Sequence, residues 1–118
     1  MEMRGTDFTK RNHRDTLVIT LGTEEDHFDL HIMVPTKGIY DDMEHAAGLV
    51  DAVMERSVNG AECIDELYAH VTRAMSFNTE GREITAEYLN EIGFDFVDIA
   101  AFLGDYTQFL LLLATSKN

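Results

Sequence analysis

A chain of 118 residues fits one domain with one modest core and leaves little room for a second. Apolar residues make up 45% and charged residues 26%, the balance of a globular rather than a disordered chain. Its 22 acidic residues against 9 Lys plus Arg, a net charge of −13, repel nucleic acid and anionic membrane, so a direct DNA or RNA binder is disfavoured. The longest apolar run, Phe109 to Ala114, is too short to span a bilayer, and Met1 to Arg14 has no apolar stretch that would read as a secretory signal. The single cysteine, Cys63, rules out an intrachain disulfide and is expected to be a free, buried thiol in a reducing cytoplasm.

In chain order, residues 1–14 come first, with four bases, two acids and no periodicity, which predicts a flexible basic arm. The remaining five bases and twenty acids give residues 15–118 a charge of −15, and this segment is the expected single domain. Leu17, Ile19 and Leu21 alternate on one face, as do Phe28, Leu30, Ile32 and Val34. Period-2 alternation around "GTEED" predicts an antiparallel hairpin over 15–34 with a loop of about five residues. A lone hairpin is marginal, so its apolar face must pack on something.

Helical spacing follows. Pro35 ends the second strand and Thr36 caps a helix over about 37–57, whose apolar positions are Ile39, Met43, Ala46, Ala47, Val50, Val53 and Met54. Asp41, Asp42 and Glu44 fall toward its N-terminal end, where the helix dipole favours them, and Asn59-Gly60 reads as its C-terminal cap. A second helix, about 61–76, carries Ile64, Leu67, Tyr68, Val71 and Met75 on one stripe. "SFNTEGREITAEYL", residues 76–89, reads as a turn that starts a short helix over about 86–92. Thr85 is its N-cap, Glu87 lies in its first turn, Ile84 and Leu89 form a hydrophobic staple, and Gly93 stops it. Asp95 then caps a last helix, about 95–115, with Asp98 completing a capping box and Phe94–Ile99 a second staple. The predicted fold is α+β and mostly α: an N-terminal antiparallel β-hairpin packed on a bundle of about four helices. Its expected core includes Leu17, Ile19, Phe28, Leu30, Val50, Leu67, Val71, Leu89, Ile99 and Leu103.

Motifs that carry chemistry are scarce. The Gly81 region has no GxxxxGK[ST] and no preceding strand, which leaves Arg82 on a surface loop rather than on a phosphate. His27, Asp29 and His31 share one strand face, but neighbours two apart lie nearly 7 Å from one another (about twice the rise per residue), too far to ligate one ion without a bulge. His13, His45 and His70 form no HExxH or HxxE pair, and no calcium loop occurs. Asp41-Asp42 and Asp65-Glu66 read as a solvated face, and Cys63 has no base near it in sequence. The expectation is therefore a non-enzyme with no catalytic residue, no metal site and no cofactor. One anomaly remains. Leu110 to Leu113 cover every side of a helix, so a single core-facing stripe cannot bury them all. Either this helix is wrapped by the others, or Phe109, Leu110, Leu111, Leu112 and Leu113 meet another copy of the chain or a client.

Three stretches together resemble the small tail assembly chaperones of siphophages and prophages of Gram-positive bacteria. They are the hairpin leading into "VPTKGIYDDM", the Asn-x-x-Gly-x-x-Ile-Thr-x-x-x-Leu pattern within "SFNTEGREITAEYL", and the closing "FDFVDIAAFLGDYTQFL". The resemblance spans roughly residues 15–113 and leaves the basic arm unmatched. It implies a homo-oligomeric chaperone of the bacterial host cytoplasm that coats the tape measure protein before tail tube subunits polymerise, and that is absent from the finished virion. Tape measure protein and, secondarily, tail tube subunits are the implied partners, with neither nucleic acid nor membrane among them. Apolar chaperone surfaces would cover the client while an acidic exterior keeps the complex soluble. The resemblance also implies a ribosomal slip near the end of the frame, for which Ser116-Lys117-Asn118 has codons compatible with A-AAA-AAC. Two other readings stay open: an acidic inhibitor or antitoxin-like module that binds a basic protein, and a small metalloenzyme using the His27/Asp29/His31 face.

Overall fold

A computed structural model describes residues 15–56 and 59–116. Two strands, β1 (Thr16–Gly22) and β2 (His27–Met33), precede four helices, α1 (Lys37–Met54), α2 (Gly60–Met75), α3 (Ala86–Glu91) and α4 (Phe96–Ser116). The fold is α+β with an N-terminal hairpin on a helical body, as the periodicities predict. The expected arm at 1–14, the Ser57 end of the first helix and the Lys117-Asn118 terminus fall outside the described residues.

The hairpin register follows from alternation. Leu17 faces Ile32, Ile19 faces Leu30 and Leu21 faces Phe28, so both apolar sets lie on one side of the sheet. Leu21, Leu30 and Ile32 are buried, and Leu17, Ile19 and Phe28 pack against the same core. On the other side the Thr20 hydroxyl donates to Asp29 Oδ1 at 2.8 Å. Gly22 pairs with His27, so Thr23 to Asp26 make the turn, one residue fewer than the alternation suggests. Gly22 has φ +125°, and a Cβ there would lie 2.3 Å from the Asp26 carbonyl oxygen, so glycine is required.

A two-stranded ribbon needs further support, and residues 77–79 supply it along the β2 edge. The Met33 N–H donates to the Phe77 carbonyl at 2.9 Å, and the Thr79 N–H donates to the His31 carbonyl at 3.0 Å, with Ile32 bridged to Asn78. The turn after α2 therefore serves as a short third rung.

Helix ends are set by local chemistry. Thr36 caps α1 by accepting from the Ile39 N–H, Thr85 caps α3 by accepting from the Tyr88 N–H, and Asp95 and Asp98 exchange backbone-to-carboxylate bonds of 3.0 and 3.1 Å ahead of α4. At the end of α3, the Phe94 N–H reaches the Leu89 carbonyl and the Gly93 N–H the Asn90 carbonyl, a Schellman closure with Gly93 at φ +80°. Two expectations for α1 are corrected. It ends at Met54, closed by Glu55 and a left-handed Arg56 (φ 62°), while Asn59 caps α2 by accepting from the Ala61 N–H. Asn-Gly suits either role, and here the side chain faces forward. Met54 is 70% exposed because the last turn of α1 has passed the core. No acidic residue falls in the first turn of α1; Asp41 instead pairs with Lys37 at 2.8 Å.

The core gathers Leu30 and Ile32 from β2, Ile39, Met43 and Ala46 from α1, Leu67 and Val71 from α2, Leu89 from α3, and Ile99, Phe102, Leu103 and Tyr106 from α4. Of the expected core, Leu30, Leu67, Val71, Leu89, Ile99 and Leu103 are buried, and Leu17, Ile19, Phe28 and Val50 form its half-buried margin.

Candidate functional site

The loop from Ser76 to Thr85 is built around Asn78, a buried polar side chain only 5% exposed. Its Nδ2 donates to the Met75 and Arg82 carbonyls, both at 2.8 Å, and its Oδ1 accepts from the Arg82 N–H at 3.0 Å. Ser76 and Ile84 exchange a second reciprocal pair at 3.2 and 2.9 Å. Glu80 binds His31 twice, accepting from its N–H at 3.0 Å and meeting its Nδ1 at 2.6 Å, and the Arg82 guanidinium lies 3.8 Å from the Phe28 ring centre. The His31 N–H, followed by its ring, holds the Glu80 carboxyl below its ordinary pKa. Arg82 thus stacks on an aromatic ring, and the loop is a clasp that fastens α2 to the hairpin.

The strand-face histidines do not converge. Asp29 is bonded to Thr20, His31 to Glu80, and His27 Nδ1 lies 3.1 Å from the Thr23 carbonyl. Cys63 is free and half-buried rather than fully buried.

The five interaction candidates divide according to helical phase. Phe109 is half-buried with its ring 6.4 Å from Tyr106, and Leu110 packs on the core margin. Leu113 is half-buried, while Leu111 and Leu112 are 56% and 58% exposed. The buried residues of α4, Ile99, Phe102, Leu103 and Tyr106, follow an i, i+3, i+4, i+7 stripe and end before the leucine run. Beside that run a groove of about 600 Å³ opens between α1 and α4, lined by Tyr40, Met43, Ala47, Tyr106, Leu110 and Leu111. Glu44 and Asp51 also border it. The Tyr106 hydroxyl is buried beneath the groove with no hydrogen-bond partner among the described residues, and burial raises its pKa above the ordinary tyrosine value. Counting only uninterrupted apolar residues understates α4: Phe96–Ala114, with mean hydropathy 1.5, is long and apolar enough to cross a membrane by length and composition. Its buried stripe is spent on the protein core, and it carries Asp98 and Asp105.

A second constellation was hidden in the sequence because its members lie on two helices. His45 on α1 meets Glu66 and His70 on α2, with His45 Nε2 2.8 Å and His70 Nε2 3.3 Å from the same Glu66 Oε2. The two rings are edge to face at 5.3 Å. The rings of His70, then His45, hold the Glu66 carboxyl below its ordinary pKa. Behind His70, Nδ1 lies 3.8 Å from Asp42 Oδ1, and Asp42 is itself ion-paired with Arg73. The Glu66–His70 spacing of four was the one local signal; its partner on α1 depends on tertiary packing.

No protein-family model, curated protein or solved structure matches the chain.

Proposed function

We propose that this chain is a non-enzymatic assembly chaperone that shields an apolar helical client. The sequence resemblance suggests the tape measure protein of a siphophage tail as that client. The observation that carries the reading is the apolar end of α4, where Leu111 and Leu112 are turned to solvent beside the α1–α4 groove. An apolar helix face laid into such a groove is a recurring mode of recognition. Glu44 and Asp51 at the groove favour a client helix with basic residues beside its apolar stripe. A net charge of −13 keeps a complex with an aggregation-prone partner in solution. The same leucines provide a surface for self-association in the absence of client.

Co-expression with the tape measure protein of the same gene cluster tests the reading. Wild type should hold that protein soluble and co-purify with it, whereas Leu111→Glu/Leu112→Glu should lose capture and sediment as a smaller species with its circular dichroism nearly unchanged. An insoluble tape measure protein in the presence of wild type would sink the client assignment. Unfolding of the double variant would place the leucines in the core and the interface elsewhere. A one-to-one complex with a basic protein, dissolved by moderate salt, would favour the inhibitor reading.

A further inference from the structure

We infer that His45 Nε2, Glu66 Oε2 and His70 Nε2 form a binding site for one divalent transition-metal ion of the zinc type, clipping α1 to α2. The inference stands apart from the chaperone reading, which rests on the other side of α1. Sequence alone predicts no metal, because a search for local motifs does not join ligands from two helices.

The donor set comes first. Two imidazoles and one carboxylate are a common three-ligand set for zinc, with the fourth position left to water or an outside donor. Bonds of about 2.0–2.1 Å in a tetrahedral arrangement put ligand atoms about 3.3 Å apart. Each of the three residues offers one ligand atom within 4.8 Å of the others, and the two Nε2–Oε2 separations are 2.8 and 3.3 Å, close to what a shared ion needs. Glu66 and His70 are spaced i, i+4 on α2 and therefore project from one helix face.

A carboxylate also lies near the far side of His70. Metal-binding imidazoles usually turn their other nitrogen to a carboxylate, which fixes the tautomer and the ring. Asp42 Oδ1 stands 3.8 Å from His70 Nδ1, beyond hydrogen-bond distance but on the side where such a partner would close on the ring, and Arg73 is ion-paired with Asp42. His70 is the least exposed member at 18%, and His45 and Glu66 are exposed enough for an ion to reach them from solvent.

The test uses the full chain, stripped with chelator and dialysed against zinc. The expected uptake is one ion per chain, with affinity falling at least about tenfold in His45→Ala and His70→Ala and unchanged in His27→Ala. Asp42→Asn, a positioning variant, should weaken binding by about tenfold with the ligands intact. Cobalt in place of zinc should show the strong visible absorption of a four-coordinate ion in wild type, lost in His45→Ala. Zinc should raise the melting temperature of wild type and leave that of His45→Ala unmoved. His45 is a surface residue, so its variant keeps the result readable if His70→Ala unfolds. Absence of uptake at ~100 µM zinc, or uptake unchanged in His45→Ala, would overturn the assignment. The first outcome leaves the cluster a hydrogen-bonded contact between α1 and α2; the second places the ion elsewhere on the chain.

Discussion

Asn78 illustrates how one residue can organise a segment that reads as mere spacing. A buried amide costs free energy unless its donors and acceptor are matched, and here both Nδ2 protons and Oδ1 bond to the backbone. Asn78→Ala would leave two carbonyls and one N–H of the loop without partners, and a loss of about 2–3 kcal/mol is expected in urea unfolding. Asn78→Asp should also destabilise, since a carboxylate cannot donate to the Met75 and Arg82 carbonyls. The local signals in this stretch were legible: Thr85 caps, Ile84 and Leu89 are buried, and Gly81 turns at φ +66°. What was not legible is that the loop docks on β2. Neither the Phe77 and Thr79 backbone bonds nor the His31–Glu80 pair has a sequence signature, because each joins residues more than forty positions apart.

At the scale of elements, the sequence was most informative where a boundary is made by neighbours. The Asp95–Asp98 box and the Gly93 stop are complete within a few residues, and both are realised. Gly93→Ala isolates the backbone term, because a Cβ there meets nothing within 4 Å while φ is +80°. The variant should lose about 1–2 kcal/mol in thermal or urea unfolding with no change in core packing. A loss near zero would mean that the α3 C-terminus relaxes without cost. Asn59-Gly60 is ambiguous in sequence because the same dipeptide can finish one helix or open the next, and only the Ala61 bond decides between them. The leucine run was recognised as more apolar than one stripe requires, yet its division into half-buried and exposed members depends on where α4 outruns α1.

For the whole molecule, charge dominates. Residues 15–118 hold twenty acids and five bases, and among the described residues Asp41 and Asp42 pair with Lys37 and Arg73. Glu80, held by the His31 N–H and ring, has a pH dependence whose sign can be given. Its folded pKa lies below the ordinary 4.5, so its contribution is fully present above that value and fades as pH falls through the lowered one. Wild type should therefore lose melting temperature more steeply than Glu80→Gln between about pH 5 and pH 3, followed by circular dichroism. Equal slopes would mean that Glu80 titrates alike in both states. The metal constellation lay beyond sequence reading for a related reason: in so acidic a chain, one carboxylate near two histidines has no distinguishing mark until α1 and α2 are packed.

The bonds between β2 and residues 77–79 carry a consequence for biosynthesis. The hairpin emerges from the ribosome before the helices, but the backbone that seals its outer edge follows more than forty residues later. Until α2 and the clasp have been translated, a growing chain displays an apolar ribbon face and an open row of amide groups, the features that invite neighbouring nascent chains to pair. Closing that span costs loop entropy, repaid only when the Asn78 and Glu80 contacts form together. Conditions that slow translation between α1 and the clasp should therefore favour aggregation more than the same delay placed within α4.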